Sequence, residues 1–184
     1  MQGASDETFD AMIVFRKHRP SRLSRAAFLD RYGGVYEHSP WIAGAVWDKG
    51  TVTDDAERLA AAMAAEVEAA DHAARLALLE AHPDLAGRLG VGEALTAASS
   101  AEQAGAGLDR CTPEEFAEFT ALNERYKAAF GFPFIVAVKG NRRDEILAIF
   151  RRRVHNDPGT EFREALDQVH KIARLRLAAL AEEP

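Results

Sequence analysis

The sequence is poor in the features that announce most chemistries. It has one cysteine, Cys111, so no internal disulfide is available and a reducing compartment is the simple expectation. Neither His nor Lys stands beside that thiol to activate it. No apolar run approaches the ~20 residues of a membrane span. The N-terminus, "MQGASDETFDAM", lacks the charged-then-apolar pattern of a leader, and the C-terminus ends without a peroxisomal or retention tripeptide. Cytoplasmic localisation is therefore expected. An excess of basic residues is also missing. The net charge of −6 argues against nucleic acid as a partner, while leaving room for a small anion held by a few arginines. Six histidines are present, but none forms an i, i+4 pair or an H-E-x-x-H motif, so no metal site is expected. "GRLGVG" lacks the Lys-Ser/Thr ending of a phosphate loop, and no G-x-S-x-G elbow occurs.

What the chain does have is helical periodicity. Hydrophobic residues make up 47% of 184, enough for a sizeable core without a metal or disulfide staple. Residues 56–81 carry Leu59, Met63, Val67, Ala70, Ala74 and Leu78 at helical spacing, which predicts one long helix opened by Asp54 and Glu57. Shorter helices are predicted at 7–18, from Ser24 to Tyr32, and from Trp41 to Asp48. Thr112 and Pro113 open another, running to about Phe130. Asn141 opens a helix with a stripe of Ile146, Ile149, Phe150 and Val154. The arginines of its "RRDEILAIFRRR" read as a solvated face. Asp157 opens the last, about 159–181, with Phe162, Leu166, Val169, Ile172, Leu175 and Leu180 inward. The expectation is an all-α, single-domain bundle of about eight helices spanning 1–184.

One stretch breaks the pattern. "FGFPFIVAVKG" puts Gly131 and Pro133 before a run of apolar, β-favouring residues, which predicts one short extended segment near 132–138. Its main-chain groups need partners, and no second strand is apparent. A flat polar ligand could supply them.

Three further places offer chemistry. In "EAHPDLAG", His82 precedes Pro83, which pushes it out of the helical region and fixes it at a helix mouth. An imidazole there is either a general acid or base or simply a cap. In "SSAEQAGAGL", Ser99-x-x-Glu102 and Ser100-x-x-Gln103 are overlapping capping boxes, and a helix start also presents N–H groups to a ligand. Arg176 lies near the core stripe of the last helix, where a guanidinium needs an internal carboxylate, for which Glu161 and Glu164 are candidates, or a substrate.

Taken in order, "YEHSPWIAGAVW" (36–47), "HPDLAG" (82–87), "SSAEQAGAGL" (99–108), "LNERYKAAFGFPFIVAV" (122–138) and "RRRVHNDPGTEFREALDQVHKIARLRL" (151–177) resemble the 2-oxo-4-hydroxy-4-carboxy-5-ureidoimidazoline (OHCU) decarboxylase family of the urate-to-allantoin pathway. The resemblance implies an all-helical, cofactor-free, homodimeric enzyme acting on a small ureidoimidazoline. It implies catalytic roles for His82, as acid, and Glu102, as its assistant. It implies substrate contacts at Pro83, at Ser99, Ser100, Ala101, Glu102 and Gln103, at Phe134, Ile135, Val136, Ala137 and Val138, and at Arg176. The competing readings are a non-catalytic helical module that binds a purine-derived ring, and a different reaction on such a ring.

Overall fold

The computed structural model describes residues 13–85 and 111–183. Among these residues the structure is helical: α1 (Arg25–Tyr32), α2 (Pro40–Asp48), α3 (Ala56–Ala69), α4 (His72–Glu80), α5 (Pro113–Phe130), α6 (Arg143–Arg153) and α7 (Pro158–Glu182), with a 3-10 turn at Pro20–Arg22. The only pairing of strand type among them is an isolated antiparallel bridge between Val14 and Asp55. The all-α expectation holds.

Local chemistry sets the helix starts. Ser24, Asp55, Asp71, Thr112 and Asp157 each cap a helix through a side-chain oxygen that accepts from a main-chain N–H. Thr112 and Glu115 complete a reciprocal capping box. Gly131 ends α5 with φ of 80°, a left-handed conformation that costs glycine nothing.

Several expectations need correction. The helix predicted across 56–81 is two helices. Ala70 is extended (ψ 156°), and the Asp71 carboxylate caps a new helix by accepting from Ala74 N at 2.8 Å. An alanine-rich pattern hides such a break, because the aspartate alone signals it. The helix predicted at 7–18 is not helical over its described part, residues 13–18; there Ile13 O and Phe15 N pair with the chain entering α3. The arginine-rich face of α6 is not wholly solvated. Arg151 and Arg152 pair with Glu118 and Glu164 near the surface, but Arg153 is fully buried.

Helix α7 is the spine. Its 25 residues span about 37 Å at 1.5 Å per residue, and it contacts α3, α4 and α5. Its deepest positions include Ala165, Leu166, Val169, Ala173, Leu177 and Ala181. The predicted stripe is shifted toward the alanines, with Phe162, Ile172 and Leu180 only partly buried. Hydropathy favours bulky residues, whereas a close helix crossing favours small ones.

The polar heart of the core is Arg153 and Glu161, both inaccessible to solvent. Arg153 donates to Glu161 from Nε at 2.9 Å and Nη2 at 2.6 Å. Tyr126 donates its hydroxyl to the same carboxylate, and Asn156 donates from Nδ2 at 2.7 Å. Burial, reinforced by Glu161, raises the Tyr126 hydroxyl far above its usual range, so it stays a donor. Arg153 also lies over the Phe134 ring, 4.7 Å from its centroid.

Removing one partner of such a pair strands the other charge in the core. Arg153→Met is expected to destabilise the protein by about 3–5 kcal/mol in urea unfolding, far more than Arg151→Met at the surface. A second expectation concerns Glu68, which accepts from Arg163 and from His170 Nε2, the latter at 2.9 Å. The bond from Arg163 is the largest influence holding its carboxyl down from 4.5 to about 2. The folded value lies below the unfolded one, so the contribution is complete above pH 4.5 and is lost as pH falls toward 2. Melting temperatures of wild type and Glu68→Gln, measured from pH 6 to pH 2, are expected to converge across that window.

Candidate active site

His82 follows α4 and is 7% exposed, so its ring faces the interior, not bulk water. Pro83 explains the location, since it forbids continuation of the helix through His82. His82 Nδ1 lies 2.9 Å from Leu78 O. A carbonyl only accepts, so Nδ1 carries the proton there and Nε2 is the nitrogen through which exchange must run. His82 and Pro83 line a cavity of about 330 Å³ with Gly131, Phe132 and Pro133. At the same cavity Lys127 Nζ pairs with Asp84 Oδ2 at 2.8 Å.

Residues 133–138 form neither helix nor strand, and Phe134, Ile135, Val136, Ala137 and Val138 are all buried. Phe134 stacks on Phe150 with centroids 3.8 Å apart, so its ring belongs to the core. Side chains of the protein hold part of the main chain. Arg153 Nη1 donates to Ile135 O at 2.6 Å, Ala137 N donates to Gln168 Oε1 at 3.0 Å, and Asn141 Nδ2 donates to Ala137 O at 2.8 Å. Asn141 N closes a turn onto Val138 O at 3.0 Å. An edge left wholly to a ligand is thus not what the fold provides. The protein takes Ile135 O and both main-chain groups of Ala137, and among the described residues none bonds to the N–H of Ile135, to the main chain of Val136 or to the N–H of Val138.

Arg176 lies at the other end of this run. It lines a cavity of about 390 Å³ with Val35, Ala137, Val138, Ile172 and Leu180. Its internal partner is neither Glu161 nor Glu164, the two sequence candidates. Nη2 donates to Glu37 Oε2 at 3.2 Å and Nη1 to Val35 O at 3.3 Å. Glu161 is already saturated by Arg153, Tyr126 and Asn156, and Glu164 faces Arg152. Glu37 is 2% exposed and precedes His38, whose φ of 54° turns the chain sharply before α2.

The structure therefore brings the sequence candidates together in two groups along one segment. His82 and Pro83 meet its start at Phe132 and Pro133, and Arg176 meets its end at Ala137 and Val138. Ser99, Ser100, Ala101, Glu102 and Gln103 lie outside the described residues. Sequence reasoning missed Glu37, Gln168 and Arg153. A signal existed for Gln168, because it shares the i, i+4, i+8 stripe of Ile172 and Arg176 on α7. For Glu37 there was none, since its partner lies 139 residues away. Among the described residues, no group of three His, Cys, Asp or Glu is placed to hold a metal ion.

The chain is 45% identical over 158 residues to the OHCU decarboxylase of Haloferax volcanii, covering 86% of this chain and 91% of that one. It is 39% identical to the OHCU decarboxylase of Halalkalicoccus jeotgali, covering 87% and 88%. A crystal structure of (S)-allantoin synthase aligns with a TM-score of 0.69 at 35% identity, over 86% of this chain and 51% of that one. Residues 21–178 match the model of the OHCU decarboxylase family, and the chain belongs to that family.

Proposed function

We propose that this chain converts OHCU to (S)-allantoin without a cofactor, with His82 delivering the proton and Glu102 assisting it. Family membership makes the chain a carboxy-lyase of urate degradation. The observation that supports the role of His82 is its tethered Nδ1 beside a cavity at the start of the 132–138 run.

The substrate carries its own electron sink. When the bond from ring carbon to carboxylate breaks, CO2 leaves and the electron pair moves into the adjacent ring imine. The intermediate is enol-like. A proton then reaches the carbon bearing the ureido group, and the neighbouring hydroxyl becomes a carbonyl as its own proton passes to the ring nitrogen that took the electron pair. The protein's work is to orient the carboxylate, to stabilise the developing charge with fixed donors, and to supply the proton from one face. His82 suits the last task because Leu78 O fixes the ring and routes the proton through Nε2. Arg176 suits the first, since it lines the larger cavity and a planar guanidinium matches the fork of a carboxylate. The whole chain acts as one decarboxylase domain, as a homodimer, in the cytoplasm. No described helix is long and apolar enough to cross a membrane.

His82→Ala is expected to fold normally and to lose about 10²–10³ in rate, the scale of a lost catalytic donor or acid. Circular dichroism of freshly oxidised urate, followed with and without the protein, reads both rate and allantoin handedness. Wild-type kinetics and handedness in the variant would remove His82 from the mechanism. Arg176→Lys is expected to raise KM, because an ammonium cannot hold a carboxylate through two parallel bonds. An unchanged KM would assign Arg176 to the Glu37 ion pair alone.

A further inference from the structure

The anchors on the buried run fall at alternate residues. Arg153 holds Ile135 O, Gln168 holds Ala137 N, and Asn141 holds Ala137 O. In an extended chain the N–H and C=O of one residue point to the same edge, and alternate residues share that edge. On the edge made by 135 and 137 the protein has therefore taken Ile135 O and both main-chain groups of Ala137. The opposite edge belongs to Val136 and Val138, and Val138 lies at the larger cavity with Arg176.

We propose that Gln168 is a positioning residue for catalysis: through Ala137 N, with Asn141 on Ala137 O, it fixes the run so that the main chain of Val136 and the N–H of Val138 read the polar edge of the substrate ring. The proposal rests on the decarboxylase reading above and adds how the site recognises its ring. Gln168, Ile172 and Arg176 succeed one another on a single face of α7. One helix face thus places the main-chain reader through Gln168 and presents the guanidinium through Arg176. Any rotation of the run about its axis would lose both the Ala137 bonds and the register of Val138 against that guanidinium. The element is a rigid template of the kind that orients a ligand before reaction.

The requirement at Gln168 is an oxygen that accepts from Ala137 N at 3.0 Å. Two replacements separate that role from size. Gln168→Glu keeps the acceptor. Gln168→Met keeps the length and removes it. With OHCU generated in situ from urate, Gln168→Met is expected to raise KM about tenfold, the scale of one lost hydrogen bond. Its kcat should change less than about threefold, because the His82 proton path is untouched. Gln168→Glu is expected to restore KM to within about threefold of wild type, since the acceptor is what the site uses. Should Gln168→Met fail to fold, Asn141→Ala removes the second anchor on Ala137 and is expected to raise KM in the same way. The proposal is overturned if the variant without the anchor keeps the wild-type KM, if Gln168→Glu is as impaired as Gln168→Met, or if kcat falls with KM unchanged. Failure of the decarboxylase reading shows separately, as wild-type protein that does not accelerate OHCU loss.

Discussion

The structure depends on a buried charge pair, Arg153 with Glu161. Neither side chain meets solvent, so each must be satisfied from within. The solution recruits four elements. Arg153 comes from α6 and Glu161 from α7, Tyr126 from α5, and Ile135 from the irregular run. A carboxylate in that position accepts from three side chains at once. An apolar core would hold these helices together, but it would not specify the run, because apolar contact has no direction. The guanidinium does: after two bonds to Glu161, Nη1 points at one carbonyl and fixes the chain there.

From that point the site follows along α7. Glu161 anchors the start of the helix to the core, Gln168 reaches the main chain at Ala137, and Arg176 meets Glu37 and Val35 beside the larger cavity. A straight helix of this length gives fixed separations between the three. The 133–138 segment needs no strand partner because two helices and Asn141 serve as one. This explains why β-favouring residues occur in an all-helical protein. Their side chains fill a core that is buried on both faces, and their main chain is held at alternate positions.

Much of this was legible in the sequence, for identifiable reasons. Thr112, Asp157, Ser24 and Gly131 mark helix ends through local chemistry, and local chemistry does not depend on the rest of the fold. Pro83 places His82 at a helix end by sterics alone. What was hidden depends on long-range pairing. Arg153 looks like its neighbours Arg151 and Arg152, yet one faces the core and two do not; only the phase of α6 against α5 decides. The Arg176 partner could not be read from α7, because Glu37 reaches it from the far end of the chain. The break at Ala70 was hidden for the opposite reason: alanine is compatible with nearly any helix face, so a stripe can be drawn straight through a turn.

The two buried ion pairs differ in a way that bears on function. Arg153 and Glu161 are sealed, share a single carboxylate oxygen through two bonds, and have further donors on the same group. That guanidinium cannot change partner without exposing a charge. Arg176 and Glu37 meet at 3.2 Å, and the arginine side chain keeps 9% of its surface at a cavity. A second anion arriving there would find a guanidinium already desolvated and already oriented, so little ordering would remain to oppose binding. On the proposed reading Glu37 sets a threshold. It steadies Arg176 when the cavity is empty, and it lowers the net positive charge that a weakly interacting anion would sense. The substrate proposed above would meet that requirement by bonding elsewhere as well, as a planar ring can along Val136 and the N–H of Val138.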